Sequence, residues 1–120
     1  MIWRLDKNRG ICPQLCQQLC ARIVAKEFLP GQRLMSVREL ALETGVNPNT
    51  VQRAFEQLER QGVLRSERGS GWFITEDEAC ARAVYDDMVL EKCRQFFLEM
   101  ADLGMTPEAI KNLVKEWEHA

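Results

Sequence analysis

The chain has little of what enzymes, secreted proteins and membrane proteins rely on. Its single histidine, His119, is next to last in 120 residues and reads as a frayed surface position, so the sequence offers no Ser-His or Cys-His constellation for nucleophilic catalysis and predicts no enzyme. No apolar run approaches the roughly 18 residues of a membrane span, and the opening M-I-W-R-L-D-K-N lacks the apolar core of a signal peptide. A cytoplasmic protein with no membrane partner is the expectation. The five cysteines, at 12, 16, 20, 80 and 93, form no C-x-x-C pair, and their odd number leaves at least one thiol free. Reduced thiols fit that location. Nor does any phosphate-cradling glycine loop precede a helix, since Gly69-Ser70-Gly71 lies in an expected hairpin.

What is present suits a folded domain with a small appendage. Hydrophobic residues make up 46% and charged residues 28%, which argues against wholesale disorder. The net charge of −2 conceals two halves of opposite sign. Residues 1–75 hold 11 Lys/Arg against 7 Asp/Glu, whereas residues 76–120 hold 5 against 11. A basic front half points to a polyanion as the partner of that half alone.

The most informative stretch runs from Ser36 to Gln61 and contains two helix starts around a turn. Ser36 and Glu39 have the spacing of a capping box, and Gly45 supplies a left-handed stop. Asn47 then caps a second helix with Pro48 at its first position. Val51, Ala54, Phe55 and Leu58 follow the i, i+3, i+4, i+7 pattern of a buried stripe, while Asn49, Thr50, Gln52 and Arg53 occupy the exposed side. Amides, a hydroxyl and a guanidinium are the groups that read base edges in the major groove. Glu56, one turn further on, would repel phosphate, so only the first half of the helix is expected to enter.

Around this unit the pattern predicts a short strand at Ile2–Leu5, a helix from Pro13 to about Glu27, and a turn from Phe28 to Leu34 with apolar anchors at both ends. Val63–Glu67 and Trp72–Thr75 suit two strands, with Arg68-Gly69-Ser70-Gly71 as a tight tip. Such a hairpin beside a polar helix is the wing of a winged helix-turn-helix. Beyond it, Glu76-Asp77-Glu78 opens a long helix in which Val89, Cys93, Phe96, Met100 and Leu103 form a heptad-like seam, widened by Leu90 and Phe97. Gly104 breaks it, and Thr106-Pro107-Glu108 starts another whose apolar face is Ile110, Leu113, Val114 and Trp117. Two helices of that length enclose little core alone and should bury their faces against a second copy. The fold class expected is mainly α with a small β-hairpin: a winged helix-turn-helix over 1–75 and a helical dimerisation tail over 76–120.

Three motifs in order carry a family resemblance: L-P-G-Q-R-L-M-S-V-R-E-L-A from Leu29, G-V-N-P-N-T-V-Q-R-A-F-E-Q-L-E-R-Q-G from Gly45, and R-G-S-G-W-F-I from Arg68. Together they make residues 9–75 resemble the DNA-binding domain of the GntR family of bacterial transcriptional regulators. The short tail and N-P-N-T-V resemble its YtrA-like subfamily. The resemblance implies a homodimer, more often a repressor, on an inverted-repeat operator of double-stranded DNA, held together by the tail. It implies DNA contacts by Arg38, Asn49, Thr50 and Gly69, to which the residue reading adds Gln52, Arg53, Arg68 and Ser70. At Pro48 and Gln52 many relatives carry arginine, so Gln52 and Arg53 imply different base preferences here. The implied dimer contacts are Val89, Cys93, Phe96, Phe97, Met100, Leu103, Leu113 and Trp117.

Two other readings stay open at this point. One makes Cys12, Cys16 and Cys20 the input of a thiol- or metal-responsive DNA switch; the other is a winged helix used for protein contacts. A single zinc ion cannot take all three thiols, because they span about 12 Å of helix while zinc–sulfur bonds are near 2.3 Å. No cofactor and no metal site is therefore expected, and no small-molecule effector is legible. Asp86-Asp87 and Glu76-Asp77-Glu78 read as solvated surface, since neighbours on a helix point to different faces.

Overall fold

Ser36 begins the helix-turn-helix as its spacing requires. In the computed structural model, which describes residues 2–118, its hydroxyl accepts the Glu39 N–H at 3.1 Å and the Glu39 carboxylate accepts the Ser36 N–H at 3.3 Å. This capping box satisfies two orphan donors and starts the short helix Val37–Thr44. The chain leaves it through Gly45 at φ 73°. Asn47 accepts the Asn49 N–H at 2.8 Å, and Pro48 opens the helix Pro48–Arg60.

In chain order the elements are α1 (Ile11–Val24), α2 (Val37–Thr44), α3 (Pro48–Arg60), β1 (Leu64–Glu67), β2 (Gly71–Ile74), α4 (Glu78–Asp102) and α5 (Pro107–Trp117). They fall into two packed units that part inside α4, between Asp86 and Asp87. In the first unit α3 packs against α1, α2 and β1. Val51, Ala54, Phe55 and Leu58 are fully buried there against Leu15, Leu19 and Leu40 from the other two helices. The edge of the Trp72 ring meets Phe55 at a centroid distance of 5.4 Å and so fastens the hairpin to the three-helix core. Fully burying each such side chain contributes roughly 1.5–3 kcal/mol.

Two sequence expectations need correction here, and a third gains an added role. Ile2–Leu5 is not a strand, because its backbone is held by side chains. Gln18 accepts the Arg4 N–H at 3.0 Å and donates to the Arg4 carbonyl at 2.6 Å, and Gln14 does the same for Asp6 at 2.8 and 2.9 Å. Glutamines four apart on one helix face thus stand in for a neighbouring strand. The first helix ends at Val24 rather than near Glu27: Lys26 takes the left-handed conformation, φ 65°, and the Glu27 N–H reaches back to the Arg22 carbonyl. That is a Schellman stop without the usual glycine, so composition gave no warning. Finally, the turn before α2 is also the third member of the wing sheet, since Arg33 bridges antiparallel to Phe73 and the Leu34 N–H donates to the Trp72 carbonyl at 2.8 Å. The apolar anchors of that turn, Phe28 and Leu34, are buried.

The second unit holds the rest of α4 together with α5. Gly104, at φ 89°, ends α4, and the Thr106 hydroxyl accepts the Ala109 N–H at 3.2 Å to start α5. Ile110 is buried, whereas Val89, Leu90, Phe96, Leu98, Leu103, Leu113, Val114 and Trp117 are exposed. None of the described helices is long and apolar enough to cross a membrane.

Candidate nucleic-acid interface

The stripe that buries α3 also decides which side chains it offers. With Val51, Ala54 and Phe55 turned inward, Asn49, Gln52 and Arg53 are exposed and Thr50 half-exposed on the first two turns. The Arg53 guanidinium donates to the Thr50 hydroxyl at 3.3 Å, so two of the expected contact residues are already held together. Asn47 is spent on its cap. Arg38, on the first turn of α2, is exposed.

The hairpin supplies the second element. Leu64 pairs with Ile74, Arg65 with Phe73, Ser66 with Trp72 and Glu67 with Gly71, leaving Arg68, Gly69 and Ser70 exposed at the tip. The Ser70 N–H closes the turn on the Glu67 carbonyl at 3.0 Å. Gly69 sits at φ 80° with open space where a Cβ would be, so backbone conformation rather than crowding calls for glycine there.

One coupling between helix and wing escapes sequence reasoning. Glu59, near the end of α3, accepts both the Ser66 N–H at 2.9 Å and the Ser66 hydroxyl at 2.6 Å. These bonds to the charged form hold the Glu59 carboxyl below its usual range. The recognition helix and β1 are thereby tied at a fixed point. Only the seven-residue separation of a carboxylate and a serine hints at it.

The cysteine row forms a packing seam. The Cys16 thiol donates to the Ala54 carbonyl at 3.5 Å, the Cys80 thiol to the Gln61 carbonyl at 3.4 Å, and the Cys12 thiol lies 4.0 Å from the Gln57 amide oxygen. Burial, reinforced by the neighbouring Cys80, pushes the Cys20 thiol up to about 11, and burial beside Cys12 raises Cys16 further still. Such thiols are protonated at neutral pH and are poor nucleophiles. Among the described residues no group of three or more His, Cys, Asp or Glu side chains is placed to hold a metal ion. His119 lies outside the described residues.

In the second unit the seam residues line two apolar grooves. Phe96, Met100, Leu113, Val114 and Trp117 line one; Leu90, Cys93, Phe97, Leu98, Met105 and Ile110 line most of the other. Phe96 and Phe97 meet edge to face at 5.9 Å. Val89 is exposed on α4, and Leu103 is exposed in the turn just after it.

A three-helix unit with a polar recognition helix and a glycine-tipped hairpin is the architecture of winged helix-turn-helix transcriptional regulators. The model of bacterial regulatory proteins of the gntR family matches residues 13–74, and the chain belongs to the GntR family. It is 38% identical over 112 residues to the uncharacterized HTH-type transcriptional regulator YhcF of Bacillus subtilis, covering 93% of each chain. To the HTH-type transcriptional repressor YtrA of the same organism it is 34% identical over 104 residues, covering 86% of this chain and 78% of YtrA. These relatives and the short two-helix tail put it with the YtrA-like members. Among solved structures, a GntR family transcriptional regulator from Listeria monocytogenes aligns over 93% of this chain and 98% of its own at 34% identity and a TM-score of 0.78. The DNA-binding domain of AraR in complex with operator ORE1 aligns over 62% of this chain and 94% of its own at 26% identity and a TM-score of 0.53. The protein is thus a regulator of transcription with a DNA-binding domain, in a family of regulators rather than enzymes.

Proposed function

We propose that the chain is a homodimeric repressor that binds an inverted-repeat operator. The observation that carries this is the division of α3, which buries Val51, Ala54 and Phe55 and turns Asn49, Gln52 and Arg53 into solvent on the first two turns. In this reading those three and Thr50 enter the major groove, Arg38 holds the backbone beside it, and Arg68, Gly69 and Ser70 reach the minor groove. The AraR domain, solved on its operator, supports DNA as the partner, and the repressor relative YtrA supports the sign of regulation.

The functional boundary lies at Thr75–Glu76: the DNA-binding domain ends with β2, and the tail begins with α4. Dimerisation uses Val89, Cys93, Phe96, Phe97, Met100, Leu103, Leu113 and Trp117. Two copies related by a twofold axis present two recognition helices about one helical turn, roughly 34 Å, apart, which makes the operator palindromic. The reading carries with it a cytoplasmic location.

Selection of random duplexes on the purified protein, read out by sequencing, tests the proposal. Enrichment of an inverted repeat is expected, and in a cell its placement upstream of a reporter should lower expression. A single unpaired half-site, or no enrichment, would overturn it.

A further inference from the structure

We infer that Arg33, which lies outside the helix-turn-helix and outside the hairpin, is a cation of the wing that grips a phosphate bordering the minor groove. The inference rests on the operator-binding reading above and adds a contact to it. Its geometry comes from the sheet register. Arg65 pairs with Phe73, and Arg33 bridges to Phe73 from the other side, so these three side chains form one row on one face of the sheet. The opposite face is the core face, with Leu64 and Ile74 buried and Trp72 against Phe55. On the outer face the Arg65 guanidinium lies over the Phe73 ring, 5.1 Å from its centroid.

The two arginines of the row differ in what they are free to do. Arg65 is ion-paired with Glu67, so its charge is neutralised locally. Arg33 is exposed and makes no ion pair among the described residues. Its guanidinium runs along the wing to Gly71. A Cβ at Gly71 would stand 3.4 Å from Nε and 3.5 Å from a terminal nitrogen of Arg33. Gly71 directly follows the tip Arg68-Gly69-Ser70, and its φ of 106° also excludes an ordinary residue. The second glycine of R-G-S-G therefore allows the turn, and the unpaired guanidinium of Arg33 lies beside the tip. A wing that reaches the minor groove brings that guanidinium to the phosphates on the groove's edge. A planar guanidinium with unused donors suits such an anion.

A contact of this kind adds affinity without sequence preference and shows in the salt dependence. The test compares the parent, Arg33→Ala and Arg33→Lys on the duplex enriched by selection and on scrambled duplexes, titrated between about 50 and 200 mM salt. Expected for Arg33→Ala is a loss of about tenfold at the lower salt, similar on every sequence, with a log–log salt slope shallower by about 2 for a dimer. Arg33→Lys keeps the parent's slope. An Arg33→Ala protein with the parent's slope overturns the inference, whether its affinity holds or falls, because a fall without a slope change means a structural role. If the parent itself binds no duplex in a salt-dependent way, the operator reading fails first, and that outcome is distinct from a silent Arg33.

Discussion

The two units of this molecule treat apolar surface in opposite ways. Up to Asp86, the described chain buries leucine, valine and phenylalanine from three helices and a hairpin in one core, while large exposed hydrophobics are confined to Ile2, Leu29 and Leu42. From Asp87 on, Ile110 is the one buried hydrophobic among the described residues, and eight large hydrophobics are exposed. A domain that fills its own core can fold and present a polar face by itself. Two helices that leave Phe96, Leu103, Leu113 and Trp117 uncovered are shaped to be completed by another surface. The charge divides earlier in the chain, basic before residue 76 and acidic after it, so the stretch before residue 76 is the one suited to a polyanion.

Breaking the self-contained core should have the largest effect. Phe55→Ala removes a fully buried ring that also seats Trp72, and is expected to cost about 3–5 kcal/mol in denaturant unfolding. DNA binding would be lost with the fold. The same kind of change in the tail should do something different: Leu113→Asp is expected to leave the unfolding of the DNA-binding unit unchanged while weakening self-association by about 2–3 kcal/mol, the loss of one buried apolar contact. Thermal unfolding would report the unchanged stability and sedimentation the weakened self-association.

On the recognition face, Arg53→Ala should weaken operator binding by about 1–3 kcal/mol if it reads a base, with relaxed preference at one position of the half-site. Parental affinity in a titration would remove Arg53 from the interface. Ser36→Ala breaks the capping box and is expected to cost about 1 kcal/mol of stability, with binding otherwise intact. The smallest effect belongs to Glu59. Its carboxyl is held below the usual value in the folded protein, so the stability it contributes is present above the ordinary carboxylate range and is lost as pH falls through the folded value. Glu59→Gln should therefore lower stability slightly at neutral pH and flatten the acid limb of a stability–pH curve, leaving the low-pH end unchanged.

How much of this was legible in the sequence depends on how local the cause is. Ser36, Glu39, Gly45, Asn47 and Pro48 act on neighbours a few residues away, and the helix-turn-helix was readable from them. The stripe from Val51 to Leu58 was readable because helical period ties burial to spacing. What escaped depends on partners brought close only by folding. The Gln14 and Gln18 clamps replaced an expected strand, Lys26 did the work of a glycine, and Arg33 joined a sheet through a residue forty positions away. Nothing in the run P-G-Q-R-L announces that its arginine lies against Gly71. The apolar seam of the tail was readable as a pattern, and its exposure is what gives that pattern a use.

Sedimentation equilibrium of the full chain, at micromolar concentration and without DNA, tests the contrast between the two units most directly. The account predicts a species of twice the 13.9 kDa chain mass, which Leu113→Asp shifts toward the single mass. A parent protein that sediments as one 13.9 kDa chain would contradict it, leaving the exposed faces of α4 and α5 without a second copy to cover them.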